Sequence, residues 1–291
     1  MDFIESLTMA VKTITAHKLR SSLTMLGIVI GNSSVIGMVG IGQAAQRFAA
    51  SQFEALGPNV LFVVPGSRET RRNAIETPNT LVMKDAQAID QQVPTIKAVS
   101  PQITSRQVVS YLQETQSKTI QGVTPQFLPV RNYNIAQGRF ITEDDIERNN
   151  RVAVLGADVV ETFFGESPAI GQSMRIKNIS FRVIGILEPK GTMLGNNQDD
   201  EIYLPISTLS NNLVGRTSPY GMQLNFISVT AKNEDTIKAA QFQIENLLRL
   251  RHQITGEDDF RVETQKDILE IVGSITGALT VMLVAIAPFL Y

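Results

Sequence analysis

The sequence has no cysteine and only two histidines, and these absences limit its chemistry. Without cysteine no disulfide forms, so a domain in an oxidising compartment must be stable through its core alone. His17 and His252 lie far apart in the chain, and no metal-ligand spacing accompanies either one. The phosphate-loop pattern G-x-x-x-x-G-K-[ST] does not occur. We therefore expect no catalytic residue, no metal site, no cofactor and no enzyme activity on this chain.

Charged side chains are missing from two long segments, Ser21–Gln46 and Ile271–Tyr291, of 26 and 21 residues. About 20 apolar helical residues cross the hydrocarbon core of a bilayer, which is about 30 Å thick. In the first segment the apolar side chains lie on all sides rather than in the single stripe of a globular surface helix. We predict a transmembrane helix over residues 21–46 and the start of a second over residues 271–291.

Both segments carry glycines at the spacing that lets membrane helices approach closely. The predicted helix-packing residues are Gly27, Gly31, Gly273 and Gly277. The alternative for the first segment is a cleaved signal peptide, which the 20-residue leader disfavours. The alternative for the second is a buried amphipathic helix with its hydroxyl side chains facing water.

The leader, residues 1–20, has apolar residues three or four apart, and this pattern predicts an amphipathic helix on the membrane surface. Its bases Lys12, Lys18 and Arg20 indicate a cytoplasmic location by the positive-inside rule. Residues 47–270 then lie outside the cytoplasm. They hold 23 of the 26 basic and 26 of the 28 acidic residues, so they present no positive field for nucleic acid.

Short strand-like and helix-like segments alternate through residues 47–270, which predicts an α+β fold. Two strands are expected, "IKAVSPQIT" at 96–104 and "QVVSYLQ" at 107–113. An amphipathic helix is expected over 234–252. Its predicted inward residues are Ile237, Phe242, Ile244, Leu247, Leu248 and Leu250, and packing on the strands is expected through Leu247 and Leu250. The acidic and amide cluster "NNQDDE" at 196–201 suits either a cation site or a solvated loop before a strand.

Several stretches carry a family resemblance. They include "KLRSSLTMLGIVIG" at 18–31, "LGPNVLFVVPG" at 56–66, "GRFITEDDIERNNRVAVLG" at 138–156, "FFGESPAIGQSMRIKNISFRVIGIL" at 163–187 and "DDEIYLPIST" at 199–208. In order and spacing they resemble permeases of the MacB/FtsX-like class of ABC transporters, the macrolide-exporter type. The resemblance covers most of the chain.

The resemblance implies four transmembrane helices in the bacterial inner membrane, with a large extracytoplasmic domain between the first two. That domain would comprise porter-like parts at 47–120 and 216–270 and an inserted β-rich subdomain at about 121–215. Because the chain stops inside the second predicted span, we expect a permease truncated at its C-terminus. The implied partners are a separate ABC ATPase subunit, a second copy in a homodimer, a periplasmic membrane-fusion protein and an outer-membrane channel.

The resemblance also implies a coupling joint between the outer domain and the second span, formed by Lys266, Asp267, Ile268, Leu269 and Glu270. Two functions are open at this point. One is a permease subunit that couples ATP hydrolysis elsewhere to a shape change outside the membrane, for export. The other is a membrane-anchored extracytoplasmic binding or scaffold domain without transport activity.

Overall fold

We analysed a computed structural model of the chain. It describes residues 3–54, 59–67, 80–193, 196–215, 218, 220–264, 266–267, 273–274, 277–278 and 281–282. Two compact units are present. The first comprises residues 1–51 and 268–291, and the second, Gln52–Asp267, contains every described strand.

The first unit is helical. Helix α1 covers Phe3–Ala16, and after a turn at His17 helix α2 covers Lys18–Glu54, its last residues belonging to the second unit. Within the described residues, Lys18–Ala45 is the one segment long and apolar enough to cross a membrane. Large apolar side chains such as Leu23, Ile30 and Ile36 are exposed along it. That surface suits lipid better than water.

The strands of the second unit, β1 to β12, are Val60–Pro65, Ile96–Tyr111, Glu114–Val123, Ile135–Gly138, Val152–Leu155, Ser173–Ile176, Ile179–Leu187, Thr192–Met193, Asn196–Asn197, Glu201–Pro205, Phe226–Ala231 and Phe260–Thr264. Ten of them form one sheet in the order β12-β1-β11-β2-β3-β10-β5-β7-β4, with β6 beside β2 and β7. Strands β8 and β9 form a separate two-stranded sheet.

Helices α3 to α8 of the second unit are Met83–Gln92, Phe127–Arg131, Glu143–Glu147, Ala157–Phe164, Ile206–Leu209 and Ile237–Arg251. Short turns of other helix types cover Gln198–Asp200, Ser210–Val214 and Glu234–Thr236. The interleaving of these helices with the strands confirms the predicted α+β fold.

Strand β2 joins the two halves of the sheet. Residues Ile96–Gln102 pair with β11, whereas Ile103–Tyr111 pair with β3. The expectation of two separate strands was wrong, because one 16-residue strand, Ile96–Tyr111, runs unbroken through Ser105 and Arg106, which separate the two predicted segments. The boundary expected near residue 121 falls inside β3. The division of this domain into porter-like parts and an inserted β-rich subdomain stays a prediction.

Two cores hold the second unit together. The larger one packs α3 and α8 on β1, β2, β11 and β12 and continues into the half of the unit that contains β5–β7. The smaller one contains an aromatic cluster, in which the ring centroids of Phe127, Tyr133 and Tyr203 lie 5.2–6.0 Å apart. Burial on this scale explains how a domain without disulfides is stable.

Helix α8 differs in part from its predicted orientation. Ala240, Ile244 and Leu248 are fully buried, whereas Phe242 and Leu250 are 66% and 78% exposed. Residues four apart share one helix face, and positions two further along point roughly 200° away from it. The predicted inward placement of Phe242 and Leu250 was therefore wrong, and that of Ile244 and Leu248 was confirmed.

Candidate functional site

The first and last strands of the second unit are neighbours in the sheet. Strand β1 pairs antiparallel with β12 over five positions, from Leu61 opposite Thr264 to Pro65 opposite Phe260. The start of β1 therefore lies beside the end of β12. A ladder of backbone hydrogen bonds joins these two ends.

A capping box follows β12 at the start of the predicted coupling joint. The Asp267 carboxylate accepts hydrogen bonds from the Thr264 backbone N–H at 2.9 Å and the Thr264 hydroxyl at 2.8 Å. In return the Asp267 N–H donates to the Thr264 hydroxyl oxygen at 3.1 Å. Lys266 and Asp267 are helical, and Thr264 is buried. These reciprocal bonds cap the helical turn at Lys266 and Asp267.

Helix α8 supports β12 from one face of the sheet. The Gln241 side-chain amide donates to the Val262 carbonyl at 3.1 Å, and Ile244 and Leu248 are buried in the larger core. Because the side-chain bond reaches the strand backbone directly, β12 is held on its helix side as well as by β1.

Cations at the C-terminal end of α8 bind carboxylates of neighbouring segments. Arg249 makes two bonds to Asp258, at 2.7 and 2.8 Å, just before β12. Arg251 Nε donates to the buried Asp85 carboxylate of α3 at 2.9 Å. Positive charge at the C-terminus of a helix and negative charge in its first turn both stabilise the helix, because they interact favourably with its dipole.

His252 completes this ion cluster. Its Nδ1 lies 2.8 Å from Asp259 Oδ1 and its Nε2 lies 3.2 Å from Asp85 Oδ2. Hydrogen bonding to Asp259 and then to Asp85 raises the pKa of His252 to about 9. Burial alone would raise the pKa of Asp85, but its bonds to His252, the Val82 N–H and Arg251 outweigh burial and lower it. At neutral pH the cluster therefore holds a charged imidazolium.

The predicted coupling residues fall partly within the described chain. Lys266 is exposed and Asp267 belongs to the capping box, whereas Ile268, Leu269 and Glu270 lie outside the described residues. Sequence reasoning did not select Thr264 or His252. The T-x-x-D spacing at 264–267 was the available signal for the cap. No local pattern marks His252, whose partners lie 7 and 167 positions away in the chain.

The predicted packing glycines lie on helices. Gly27 and Gly31 are half-buried and share one stripe of α2 with Val35, Met38 and Gly42, at spacings of three and four residues. Gly37 and Gly40 lie off this stripe, and a Cβ added at either meets no atom within 4 Å. Gly273 and Gly277 are both helical. Close helix approach at these glycines stays a prediction.

Acidic side chains of the cluster at 196–201 form hydrogen bonds and an ion pair within the protein. Asp199 accepts backbone N–H bonds from Lys190 at 2.7 Å and Gly191 at 2.8 Å, and Asp200 pairs with Lys118. Over the part of the chain that the structure describes, no group of three or more acidic or histidine side chains is placed to hold a metal ion.

Comparison with known proteins identifies the family. A family model described as the MacB-like periplasmic core domain matches residues 21–247. The chain belongs to this family. It is 33% identical over 285 residues to a macrolide export ATP-binding/permease protein MacB of Shewanella sp. (strain W3-18-1), covering 98% of this chain and 42% of that protein. A MacB of the same description from Bdellovibrio bacteriovorus is 31% identical over 291 residues.

Solved structures agree on the fold of this MacB-like chain. The periplasmic region of MacB from Actinobacillus actinomycetemcomitans matches with a TM-score of 0.64 at 23% identity, covering 75% of this chain and 94% of that one. The extracellular domain of the ABC-type transporter YknZ matches with a TM-score of 0.58 at 19% identity, covering 71% and 100%. The chain spans about two fifths of the length of the curated relatives it matches.

Proposed function

We propose that this chain is part of the permease of a MacB-type ABC transporter in the bacterial inner membrane. Its extracytoplasmic domain would change shape when ATP is hydrolysed by a separate ATPase subunit or a further domain. The observation that carries the proposal is the junction of β1, β12 and the Thr264–Asp267 capping box. A rigid junction transmits displacement between a membrane helix and the outer domain, whereas a flexible one absorbs it.

The names of the relatives supply the substrate class of the proposal. Proteins 31–33% identical to this chain are described as macrolide export ATP-binding/permease proteins. We propose macrolide-like amphiphiles as the exported class. A homodimer, a periplasmic membrane-fusion protein and an outer-membrane channel are the further proposed partners.

The test alters the junction in the intact transporter, which comprises this chain, the rest of its permease and its ATPase. Replacing residues 266–270 with a Gly/Ser segment of equal length should abolish erythromycin efflux from cells while leaving basal ATP hydrolysis in place. The double variant Thr264→Val with Asp267→Ala removes only the cap and should reduce efflux in the same direction. Lys266→Ala changes an exposed side chain of the same turn and serves as the control.

Three outcomes separate the candidate functions. Loss of efflux with retained ATP hydrolysis supports coupling through this junction. Full efflux with the Gly/Ser segment would show that force does not pass this way. An intact transporter that exports no erythromycin before any substitution would contradict macrolide export and favour the binding or scaffold function.

A further inference from the structure

A polar cleft of about 500 Å³ lies on the sheet face opposite α3 and α8. Its wall residues in β2 and β11 alternate with the core residues Ile103 and Ile227, which places them on the other face. Both strands β2 and β3 contribute polar side chains at every second position: Gln102, Thr104, Arg106, Ser117, Thr119 and Gln121. A cleft of this size accommodates a small organic ligand.

Side-chain hydrogen bonds between β2 and β3 hold the floor of the cleft, which the polar side chains of these two strands form. The Thr104 hydroxyl donates to Gln121 Oε1 at 2.7 Å, and Arg106 Nε donates to Ser117 Oγ at 3.2 Å. Each bond joins neighbouring strands, so the side chains are ordered without a ligand. Preorganised polar groups of this kind reduce the entropy lost on binding.

Arg131 approaches the cleft from helix α4. Its Nε is buried without a hydrogen-bond partner, and among the described residues no carboxylate lies within ion-pair distance of its guanidinium. The guanidinium lies 5.6 Å from the centre of the Phe62 ring. Lys190 holds the helix end by donating to the Arg131 carbonyl and, at 3.0 Å, to that of Asn132. Burial lowers the pKa of Arg131, so the cation lacks full compensation for its desolvation.

The acids of the cleft already have partners. Asp200 pairs with Lys118, and Glu201 accepts a hydrogen bond from the Tyr203 hydroxyl at 3.2 Å. Burial raises the pKa of Glu201, against the effect of bonds from Gln121 and Tyr203. Arg131 is therefore the buried charge in this cleft that a ligand can satisfy. The other arginine of the cleft, Arg106, is exposed, and its Nε donates to Ser117. The nearby carboxylates disfavour a dianion such as phosphate and leave room for a single negative charge.

We propose that this cleft binds a small monoanionic carboxylate ligand that also carries hydroxyl groups, such as a sugar acid. The carboxylate bonds to the Arg131 guanidinium, whose planar fork matches carboxylate geometry. The hydroxyls bond to the floor side chains of β2 and β3, including Thr119. This site goes beyond the proposed transport function and does not depend on it.

Titration calorimetry on the full chain in detergent tests the site, with glucuronate as the probe and glucose as the matched sugar without a carboxylate. Glucuronate should bind, and glucose should bind at least about tenfold more weakly, because a hydrogen bond to a charged group contributes roughly 1.5–3 kcal/mol. Arg131→Gln should weaken glucuronate binding by a similar factor. Arg151→Gln, at an exposed arginine outside the cleft, should leave it unchanged.

A second variant keeps the test decisive where Arg131→Gln fails to fold. Ser117 is exposed at the cleft, so Ser117→Trp blocks the space at a strand position that tolerates an aromatic residue. This variant should lose glucuronate binding and keep its melting temperature. Absence of binding at about 10 mM glucuronate, equal binding of glucose, or binding unaffected by both variants would each overturn the proposal. Phosphate binding tighter than glucuronate would overturn the monoanion assignment.

Discussion

Leu61 and Thr264 are direct partners in the antiparallel pair of β1 and β12, and Thr264 also caps the helical turn that follows it. One residue thus belongs to both the sheet edge and the start of the joint. Its side chain stabilises the turn while its backbone lies in the strand.

Removing the cap should destabilise the second unit slightly. Asp267→Ala leaves the Thr264 N–H and hydroxyl without their acceptor, and loss of such a cap costs about 1 kcal/mol. Lys266→Ala should change the free energy of unfolding by less than about 0.5 kcal/mol, since its side chain is exposed. Urea unfolding of both variants measures the difference. Equal stabilities would mean that the cap contributes nothing.

His252 should make stability depend on pH above neutrality. Its pKa in the folded protein, about 9, exceeds the ordinary value of 6.5, so folding favours the protonated form. The stabilisation is complete below about pH 6.5 and is lost as the pH rises through 9. His252→Gln should remove this dependence, which amounts to roughly 2–3 kcal/mol. The measurement is the wild-type minus variant free energy of unfolding at pH 6 and pH 9.5.

Lys190 changes stability with pH in the opposite direction to His252. The effect of His252 must therefore be measured as the difference between the wild type and the His252 variant. Burial lowers the pKa of Lys190 to about 8 from an ordinary 10.5, so folding disfavours its charged form. Its contribution to stability therefore rises as the pH increases from about 8 to 10.5. The wild-type curve alone mixes both groups. If the difference in unfolding free energy between the wild type and His252→Gln does not change with pH, the folded protein does not favour the protonated form of His252.

Two leucines of α8 should respond very differently to truncation. Leu248 is fully buried, and Leu248→Ala should cost about 2–5 kcal/mol of unfolding free energy because it leaves a cavity. Leu250 is 78% exposed, and Leu250→Ala should change stability by less than about 0.5 kcal/mol. Thermal unfolding of the two variants side by side tests which face of the helix is inward. Comparable losses would contradict the orientation.

The glycine stripe of α2 should matter for helix association in the membrane. Gly27→Leu and Gly31→Leu add bulk on the half-buried stripe and should reduce dimer cross-linking without preventing insertion. Gly37→Leu and Gly40→Leu add the same side chain where a Cβ meets no atom within 4 Å, and they serve as controls. Cross-linking that falls equally in all four variants would show that the stripe has no special role.

Sequence reasoning succeeded where the pattern was local. Lys177 and Asn178 form the turn between β6 and β7, and Gly165 ends α6 with a φ of 56°. Asparagine and glycine are residues that such turns and helix ends favour. The α+β class followed from the same local patterns. The face of α8 did not, because leucines occur all around that helix and only tertiary packing selects the inward ones.

The sites depend on residues that are distant in sequence. Asp85 and His252 meet because α3 and α8 pack on the same sheet face, and no window of sequence contains both. The cleft likewise needs β2 and β3 beside α4. Its available signal is the polar residue at every second position of both strands, a pattern more often typical of a solvent-facing sheet.

The length of β2 has a mechanical consequence. Sixteen residues at about 3.3 Å each make a strand about 50 Å long. Its first half lies in the part of the sheet that contains β1 and β12, and its second half extends to the turn at Leu112. A small tilt near the junction is therefore carried outward by covalent backbone, as by a lever arm. The largest movement would occur at the far end of the strand, near Leu112, and it would require no hinge along β2.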